Sequence, residues 1–266
     1  MKIGFIGCGN MGSALVKAAA GSECEKELLL CDHHRERTEA LAALCGGTVC
    51  DLETTARESD VLFLGVKPQV FGALADDLRT ILEARKEMPL LVSMAAGISL
   101  PSLERMFPRG AKLVRIMPNL PVSVGAGVIL YHAGENVSEE ELHTVLTVLQ
   151  KAGTLVPVSE GKFDAATCVS GCGPAFASMF AEALADGAVQ CGLPRGTAMK
   201  LAAETLKGTA EMLLQTETHP GALKDAVCSP GGTTIEGVLA LEESAFRSAV
   251  ASAVIAAYEK TLTLED

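Results

Sequence analysis

The sequence has 266 residues, of which 48% are hydrophobic and 21% are charged. This composition excludes a disordered or collagen-like chain, and the length predicts one large domain or two smaller ones. The 22 Lys and Arg against 33 Asp and Glu give a net charge of −11, which disfavours binding to nucleic acid. No apolar stretch approaches the ~18 residues of a membrane span, so no membrane partner is expected.

The nine cysteines include no Cys-x-x-Cys pair and no Cys/His grouping at zinc-ligand spacing, so they predict free thiols and no metal site. The first residues lack the apolar run and the cleavage site of a signal peptide. Together these features predict a cytoplasmic protein in a reducing compartment.

The first part of the chain alternates short apolar runs with helical patterns. Runs at 3–6, 28–31, 61–65, 90–93 and 113–117 are apolar without alternation, as strands buried on both faces should be. Helices are predicted at 11–20, 35–44, 70–85 and 99–107, and Ser138 followed by three glutamates is typical of a helix N-terminus. This rhythm predicts an α/β Rossmann domain over residues 1–158, with a doubly wound, mostly parallel sheet.

The glycine-rich sequence Gly7-Cys8-Gly9-Asn10-Met11-Gly12 fits the pattern G-x-G-x-x-G between the first predicted strand and helix. The glycines permit a tight turn, close approach of the backbone to a pyrophosphate, and close packing of helix on strand. A structural turn, or a site for the adenosyl part of S-adenosylmethionine, fits the pattern alone. The βαβ setting favours a nicotinamide dinucleotide.

Asp32 ends the second predicted strand about 20 residues after the last glycine, where an acidic side chain binds the ribose 2′-hydroxyl of NAD. His33, His34, Arg35 and Arg37 follow at once and would neutralise the 2′-phosphate of NADP if Asp32 turns away. The residues leave the choice between NAD and NADP open.

Three segments follow other predicted strands, at the sheet edge where ligands bind in open α/β folds. They are Val66-Lys67-Pro68, Met94-Ala95-Ala96-Gly97 and Met117-Pro118-Asn119-Leu120-Pro121. The small residues from Ala95 to Gly97 would let a nicotinamide ring approach the backbone, and Asn119 offers a donor and an acceptor. Each segment alone is equally consistent with an ordinary turn, but their coincidence predicts cofactor contacts.

From residue 159 to 266 the strand patterns stop, and Ala-rich segments broken by Gly and Pro predict an all-α domain. The last segment, 245–258, is small or apolar on nearly every face, so burial by its own domain or by a second subunit is expected.

The most specific segment of this second part is Ser229-Pro230-Gly231-Gly232-Thr233-Thr234-Ile235-Glu236. Thr233 and Glu236 have capping-box spacing, which predicts Thr233 as a helix N-cap. Gly231 and Gly232 would then expose backbone N–H groups, and the hydroxyl of Thr234 would be free at the positive end of the helix dipole. This arrangement predicts a carboxylate site with a hydroxyl donor beside it.

Taken together, these motifs resemble the pyrroline-5-carboxylate reductase family over essentially the whole chain. Besides the segments above, the likeness is carried by Arg115-Ile116-Met117-Pro118-Asn119, Ser170-Gly171-Cys172-Gly173-Pro174 and Lys224-Asp225-Ala226-Val227-Cys228, which continues into Ser229. The resemblance implies hydride transfer from NADPH, with NADH also usable, to the imine carbon of 1-pyrroline-5-carboxylate, which gives L-proline. It also implies a helical domain that interlocks with another subunit, in a dimer or a larger assembly such as a decamer of dimers.

By the same resemblance, the substrate carboxylate and ring nitrogen are held by Gly231, Gly232, Thr233 and Thr234, with Glu160 and Glu217 as supporting polar groups. The chain departs from the family in two places. The family often has Ser where Cys172 stands, and commonly has an Asn near Leu52 on the adenosine side of the cofactor.

Two other functions fit part of the pattern. A 3-hydroxyacid dehydrogenase would share both domains, but it needs a catalytic Lys shortly after a Gly-rich helix start, and none follows Gly173-Pro174 closely. A non-catalytic NAD(P)-sensing protein would keep the glycine turn without the segment from Ser229 to Glu236, which is present here.

Overall fold

One eight-stranded sheet organises the first part of the chain, in a computed structural model that describes residues 1–263. Its strands are β1 (Lys2–Ile6), β2 (Glu27–Cys31), β3 (Thr48–Val49), β4 (Val61–Leu64), β5 (Leu90–Ser93), β6 (Lys112–Pro118), β7 (Gly127–Ala133) and β8 (Gly153–Pro157). They lie in the order β3-β2-β1-β4-β5-β6-β7-β8, and only β7 against β6 is antiparallel. The five predicted strands and the mostly parallel sheet are confirmed, whereas β3, β7 and β8 were not predicted.

Six helices connect these strands. They are α1 (Asn10–Ala20), α2 (Arg35–Cys45), α3 (Leu52–Glu58), α4 (Pro68–Glu83), α5 (Leu100–Met106) and α6 (Glu139–Leu149). Ser138 caps α6 and forms the reciprocal capping box with Glu141, which confirms the predicted N-terminus. Of the six helices, α3 was not predicted.

The apolar runs form strands because the sheet is buried on both faces. All four residues of β4 and of β5 are buried, and two apolar clusters cover the opposite faces of the sheet. Phe5 and Phe63 stack within one of these clusters, with their ring centroids 4.6 Å apart. This core fixes the carboxyl ends of the strands, where the candidate cofactor residues follow.

The remaining elements are helical, as predicted. They are α7 (Glu160–Ser170), α8 (Gly173–Gln190), α9 (Arg195–Thr216), α10 (Pro220–Ala226), α11 (Thr233–Glu243) and α12 (Phe246–Leu262). The chain divides into two compact units. The first consists of residues 1–171 together with the end of α12 from residue 258, and the second consists of residues 172–257. The predicted boundary at 158 follows the last strand, but α7 belongs to the first unit.

The helices of the second unit leave large apolar surfaces uncovered. None of the residues of α12 is buried, and Val250 and Ile255 are 44% and 56% exposed. Burial of this helix by its own domain, one of the two predicted possibilities, is therefore wrong. A second subunit remains as the expected cover.

The segment 160–190 is long and apolar enough to cross a membrane by length and composition alone, since 18 consecutive residues within it have a mean hydropathy of 1.2. No such stretch was expected from the sequence. Within it, Glu160 and Asp164 of α7 form ion pairs with Arg115 of the sheet, so α7 packs against the sheet of the first unit.

The turn between α11 and α12 contains a strained residue. Ala245 has φ +56°, in the left-handed region that favours glycine because it has no Cβ. We expect Ala245→Gly to stabilise the protein by about 0.5–1 kcal/mol. Thermal unfolding at fixed protein concentration measures this as a small rise in Tm.

The matched control for this prediction is Ala251→Gly in the interior of α12. It is expected to lower the free energy of unfolding by about 1 kcal/mol, because glycine is a poor helix former. An equal fall in Tm for both variants would contradict the strain assigned to Ala245.

Candidate functional site

The first candidate site lies at the point where the strand order of the sheet reverses. The strands β2 and β3 lie on one side of β1, and β4 continues on the other, so the loops after β1 and β4 diverge there. Ligands bind at such switch points in open α/β folds. The loop after β1 is the glycine turn, and the loop after β4 begins at Gly65.

The glycine turn has the geometry that a dinucleotide requires. Gly7 has φ +96°, and a Cβ there would lie 2.5 Å from the carbonyl oxygen of Gly65. A Cβ on Gly12 would lie 2.0 Å from the carbonyl oxygen of Gly7, so this glycine allows α1 to pack on β1. A Cβ on Gly9, the N-cap of α1, would meet no protein atom within 4 Å. The open space at Gly9, at a helix N-terminus, fits a pyrophosphate.

Asp32 is turned toward the glycine turn. Its Oδ2 accepts a hydrogen bond from the N–H of Cys8 at 2.6 Å, and its Oδ1 accepts one from the N–H of His34 at 2.8 Å. Burial opposes ionisation, but the N–H groups of His34 and Cys8 and the nearby His33 imidazole outweigh it and lower the pKa of this carboxyl. Each oxygen therefore accepts one hydrogen bond within the chain and retains acceptor capacity, so the choice between NAD and NADP is not decided by Asp32 alone.

A cavity of about 810 Å³ opens beside this carboxylate. Its lining residues come from the loops after four neighbouring strands: Ile6, Gly7, Gly9, Cys31, Asp32, His33, His34, Arg37, Cys50, Asp51, Leu52, Gly65, Val66, Lys67, Val70 and Leu74. Of the predicted cofactor residues, Gly7, Gly9, Asp32, Val66 and Lys67 line it. Its volume and position fit the adenosine half of a dinucleotide.

Several residues of this cavity were not singled out by their sequence pattern. Cys50 and Asp51 follow β3, a strand of two residues that leaves no periodic signal, and Val70 and Leu74 face the cavity from α4. Leu52, noted above as a departure from the family, also lies in this wall. The departure therefore falls within the cavity, where an apolar side chain replaces an amide.

The basic residues after β2 divide into two groups. His33, His34 and Arg37 line the cavity, whereas Arg35 pairs with Glu39 on the exposed face of α2. The prediction that Arg35 faces a 2′-phosphate is therefore not supported by its position. Asp32, His33 and His34 each offer one possible metal-ligand atom, a carboxylate oxygen or an imidazole nitrogen, within 4.8 Å of the others, and both imidazoles are exposed. These imidazoles lie where an anionic group of a cofactor is expected.

The loop after β5 and the residue after β6 lie outside the lining of that cavity. Ala95 is buried, Ala96 is exposed, and Gly97 has φ +73°. Asn119 is 7% exposed, and its side chain bridges two structural elements: Nδ2 donates to Ser170 O at 2.9 Å, and Oδ1 accepts from Val128 N–H at 2.8 Å. The amide of Asn119, predicted to contact the cofactor, thus holds its own loop, β7 and the end of α7 together.

The second candidate site is the N-terminus of α11. Ser229 O accepts a hydrogen bond from Gly232 N–H at 3.0 Å, and Gly231 has φ +65°, which with Pro230 between them defines a tight turn. Gly232 is the N-cap, so the predicted N-cap at Thr233 and its capping box with Glu236 are wrong. The turn closes one residue earlier than predicted because its own backbone bond satisfies Gly232.

This change of register alters which groups are free. The N–H of Gly232 is engaged and does not face a ligand, which corrects its predicted exposure. The N–H groups of Thr233 and Thr234, in the first helical turn, have no intrahelical acceptor. Both threonine side chains are exposed, and neither hydroxyl is hydrogen-bonded within residues 1–263. Two N–H donors and two hydroxyls therefore lie together at the positive end of the helix dipole.

The two predicted supporting carboxylates differ in their surroundings. Glu160 lies at the start of α7, where its Oε1 accepts bonds from Arg115 Nη1 at 2.6 Å and from Leu100 N–H at 2.8 Å. Glu217 ends α9 with φ +51° and is exposed. A left-handed non-glycine residue is strained, and such strain is commonly found at functional sites.

Cys172 directly precedes α8, and Pro174 lies in the first turn, which confirms the predicted helix start.

A glycine turn at the switch point of a Rossmann sheet, followed by a helical domain, is typical of one class of protein, the NAD(P)-dependent oxidoreductases. Comparison with known proteins agrees with this class. Residues 160–264 match the family model for pyrroline-5-carboxylate reductase dimerisation, and residues 2–97 match that of coenzyme F420-dependent NADP oxidoreductases.

Full-length relatives extend this match. The pyrroline-5-carboxylate reductase of Methanosarcina acetivorans is 41% identical over 266 residues, covering 99% of this chain and 97% of the relative. The solved pyrroline-5-carboxylate reductase of Coxiella burnetii is 30% identical, with a TM-score of 0.90 over 99% of this chain and 98% of its own. The pyrroline carboxylate reductase of Plasmodium falciparum, solved with NADP bound, is 31% identical, with a TM-score of 0.84 over the whole of both chains.

The chain belongs to the pyrroline-5-carboxylate reductase family. The predicted class, an NAD(P)H-dependent reductase, is thereby confirmed, as is the resemblance on which it was based. The match of the helical region to a dimerisation domain also confirms the predicted self-association. The uncovered apolar surface of α12 agrees with it.

Proposed function

We propose that the chain reduces 1-pyrroline-5-carboxylate to L-proline with NADPH, using α11 to hold the substrate. The observation that carries this proposal is the set of free donors at the N-terminus of that helix, the N–H groups and hydroxyls of Thr233 and Thr234. A carboxylate is stabilised at such a position by the helix dipole and by the N–H donors. The substrate carries one carboxylate on its ring, which provides the handle.

The reaction requires little from the protein beyond orientation of the substrate. The protonated imine accepts a hydride at its carbon, and NADPH supplies that hydride, so the products are proline and NADP⁺. The carboxylate fixes the ring, and a hydroxyl near the nitrogen orients the imine and keeps its proton in place. The resemblance assigns the ring nitrogen to this segment, and we propose the hydroxyl of Thr234 as its partner, with Gly231, Thr233 and Glu217 around the carboxylate.

The basic residues of the cavity support NADPH over NADH. Arg37, with His33 and His34, faces the cavity, and the Asp32 carboxylate already accepts two N–H bonds within the chain. A guanidinium bound to a phosphate by charge-assisted hydrogen bonds contributes about 1.5–3 kcal/mol. We therefore expect Arg37→Gln to raise the KM for NADPH by about tenfold or more, without changing the KM for NADH.

The matched control is Arg35→Gln, two residues away. Its guanidinium pairs with Glu39 outside the cavity lining, so both KM values should remain those of the unmodified protein. An equal loss for NADPH and NADH in Arg37→Gln would contradict the 2′-phosphate assignment.

We also propose that the protein functions in a reducing cytoplasm, since all nine cysteines are free.

The reaction itself is tested by incubating the purified protein with pyrroline-5-carboxylate and NADPH. One proline should form for each NADPH consumed, and 3-hydroxyacids should not be oxidised when NADP⁺ is supplied. Oxidation of a 3-hydroxyacid without formation of proline would instead identify a dehydrogenase.

A further inference from the structure

A buried arginine joins several parts of the first compact unit. Arg115, on β6, is 2% exposed and is the largest of the fully buried side chains. Its Nη1 pairs with Glu160 at 2.6 Å, its Nη2 pairs with Asp164 at 3.1 Å, and its guanidinium carbon lies 4.2 Å from the ring centroid of Phe163. Three residues of α7 therefore surround one cation of the sheet.

The position of this arginine connects it to the loop after β5. In the sheet, Arg115 lies beside Ser93, the last residue of β5. The loop 94–99 begins directly after Ser93, and it ends where α5 starts at Leu100. Glu160 Oε1, the atom that pairs with Arg115, also accepts the N–H of Leu100 at 2.8 Å. The carboxylate of Glu160, which is paired with Arg115, thus also binds the backbone at the C-terminal end of the loop 94–99.

The sheet holds α7 at its other end as well. Asn119, which follows β6, donates to the carbonyl oxygen of Ser170, the last residue of α7. The helix is therefore tied to β6 and to the residue after it at both of its ends. Its carboxylate at position 160 cannot shift without breaking one of these contacts.

Stability alone does not account for this arrangement. Arg115 Nε and Glu160 Oε2 are buried and have no hydrogen-bond partner among residues 1–263. A buried ion pair with incompletely satisfied atoms is commonly no more stable than apolar residues of similar volume. What the pair provides, and apolar residues would not, is a fixed acceptor for Leu100 N–H.

We propose that Arg115 and Glu160 are positioning residues for the nicotinamide end of the cofactor. Arg115 orients the carboxylate of Glu160, and that carboxylate fixes the loop 94–99, whose residues Ala95 to Gly97 accept the nicotinamide ring. The inference rests on the proposed function, because it takes this loop as the nicotinamide contact. It also replaces the substrate contact that the family resemblance implies for Glu160.

The experiment compares two ligands of the cofactor site in Glu160→Ala. NADPH spans both ends of the site, whereas adenosine 2′,5′-bisphosphate occupies only the adenosine half. By calorimetry we expect the Kd for NADPH to rise about tenfold, with the Kd for the bisphosphate unchanged. We expect kcat to fall by on the order of 10²-fold, measured at a temperature at which the variant is folded.

Two further variants separate positioning from charge and from general stability. Glu160→Gln keeps an acceptor for Leu100 N–H and should recover most of the NADPH affinity and of kcat. Arg115→Lys keeps the charge but has no planar fork to bridge both carboxylates, so it should show the same pattern as Glu160→Ala in weaker form. It provides the test if Glu160→Ala does not fold.

The matched control is Lys112→Met. It removes the ion pair of Lys112 with Glu141, which also joins β6 to a helix, in this case α6. It should leave both affinities and kcat unchanged.

Three results for Glu160→Ala alone would overturn the inference. They are an unchanged NADPH affinity, an equal loss of affinity for both ligands, and a change confined to the KM for pyrroline-5-carboxylate in Glu160→Ala. Equal damage from Glu160→Gln and Glu160→Ala would also overturn it, because the charge and not the acceptor would then matter. Since the binding measurements do not require turnover, they decide the inference even if the unmodified protein fails to reduce pyrroline-5-carboxylate.

Discussion

A valine at position 9 is expected to abolish NADPH binding while leaving the fold intact. The Cβ of a residue at Gly9 meets no protein atom within 4 Å, and φ there is −64°, so a larger side chain fits the backbone without strain. It would fill the space in front of the α1 N-terminus, the proposed position of the pyrophosphate. Calorimetry with NADPH measures the loss, and the Tm of the free protein should change little.

Two other glycine substitutions serve as controls for this result. Gly12→Val should destabilise the protein itself, because its Cβ would lie 2.0 Å from the carbonyl oxygen of Gly7. Gly72→Val, on the exposed side of α4, should leave NADPH affinity unchanged, since its Cβ points into open space. NADPH binding by Gly9→Val at the original affinity would exclude this turn as the cofactor site.

Removal of the Thr234 hydroxyl is expected to lower kcat by about 10²–10⁴-fold, the usual contribution of a group that orients or holds a proton at the reacting atom. The hydroxyl is exposed and not hydrogen-bonded within the described chain, so Thr234→Ala should leave the Tm nearly unchanged. Thr234→Ser should recover much of the activity. Steady-state kinetics on pyrroline-5-carboxylate separates these variants.

Thr233→Ala provides the comparison at the adjacent residue. Because Gly232 is the N-cap, the loss of a capping hydrogen bond expected from the sequence no longer applies, and unfolding should be little affected. The N–H of residue 233 is retained, so the effect should fall mainly on KM. If Thr233→Ala lowers kcat and Thr234→Ala does not, the two threonines exchange roles.

The sequence predicts the cofactor half of this protein well because its signals are local. The spacing of the glycines at 7, 9 and 12 is enough to indicate the turn, and buried parallel strands appear in the sequence as unbroken apolar runs. β3 was missed because a strand of two residues has no period. The roles of Arg115 and Asn119 depend on contacts with α7, about 50 residues further along the chain, which no local pattern encodes.

The register of the substrate segment shows a different limit. Thr233 and Glu236 have capping-box spacing, yet the preceding turn bonds Gly232 N–H to Ser229 O and makes Gly232 the N-cap. The turn with Pro230 and a left-handed Gly231 directly precedes the four residues that have capping-box spacing, and it places the N-cap at its own last residue. The N-cap thus lies one residue before the predicted one, so Gly232 N–H is engaged in the turn and the Thr233 hydroxyl is free.

The most direct test of the account is to follow the hydride itself. NADPH carrying deuterium at the transferred position of the nicotinamide is incubated with the purified protein and pyrroline-5-carboxylate, and the proline is examined by mass spectrometry and NMR. The account predicts one deuterium per proline, on the ring carbon that was the imine carbon. Proline without deuterium, or oxidised cofactor without proline, would contradict it.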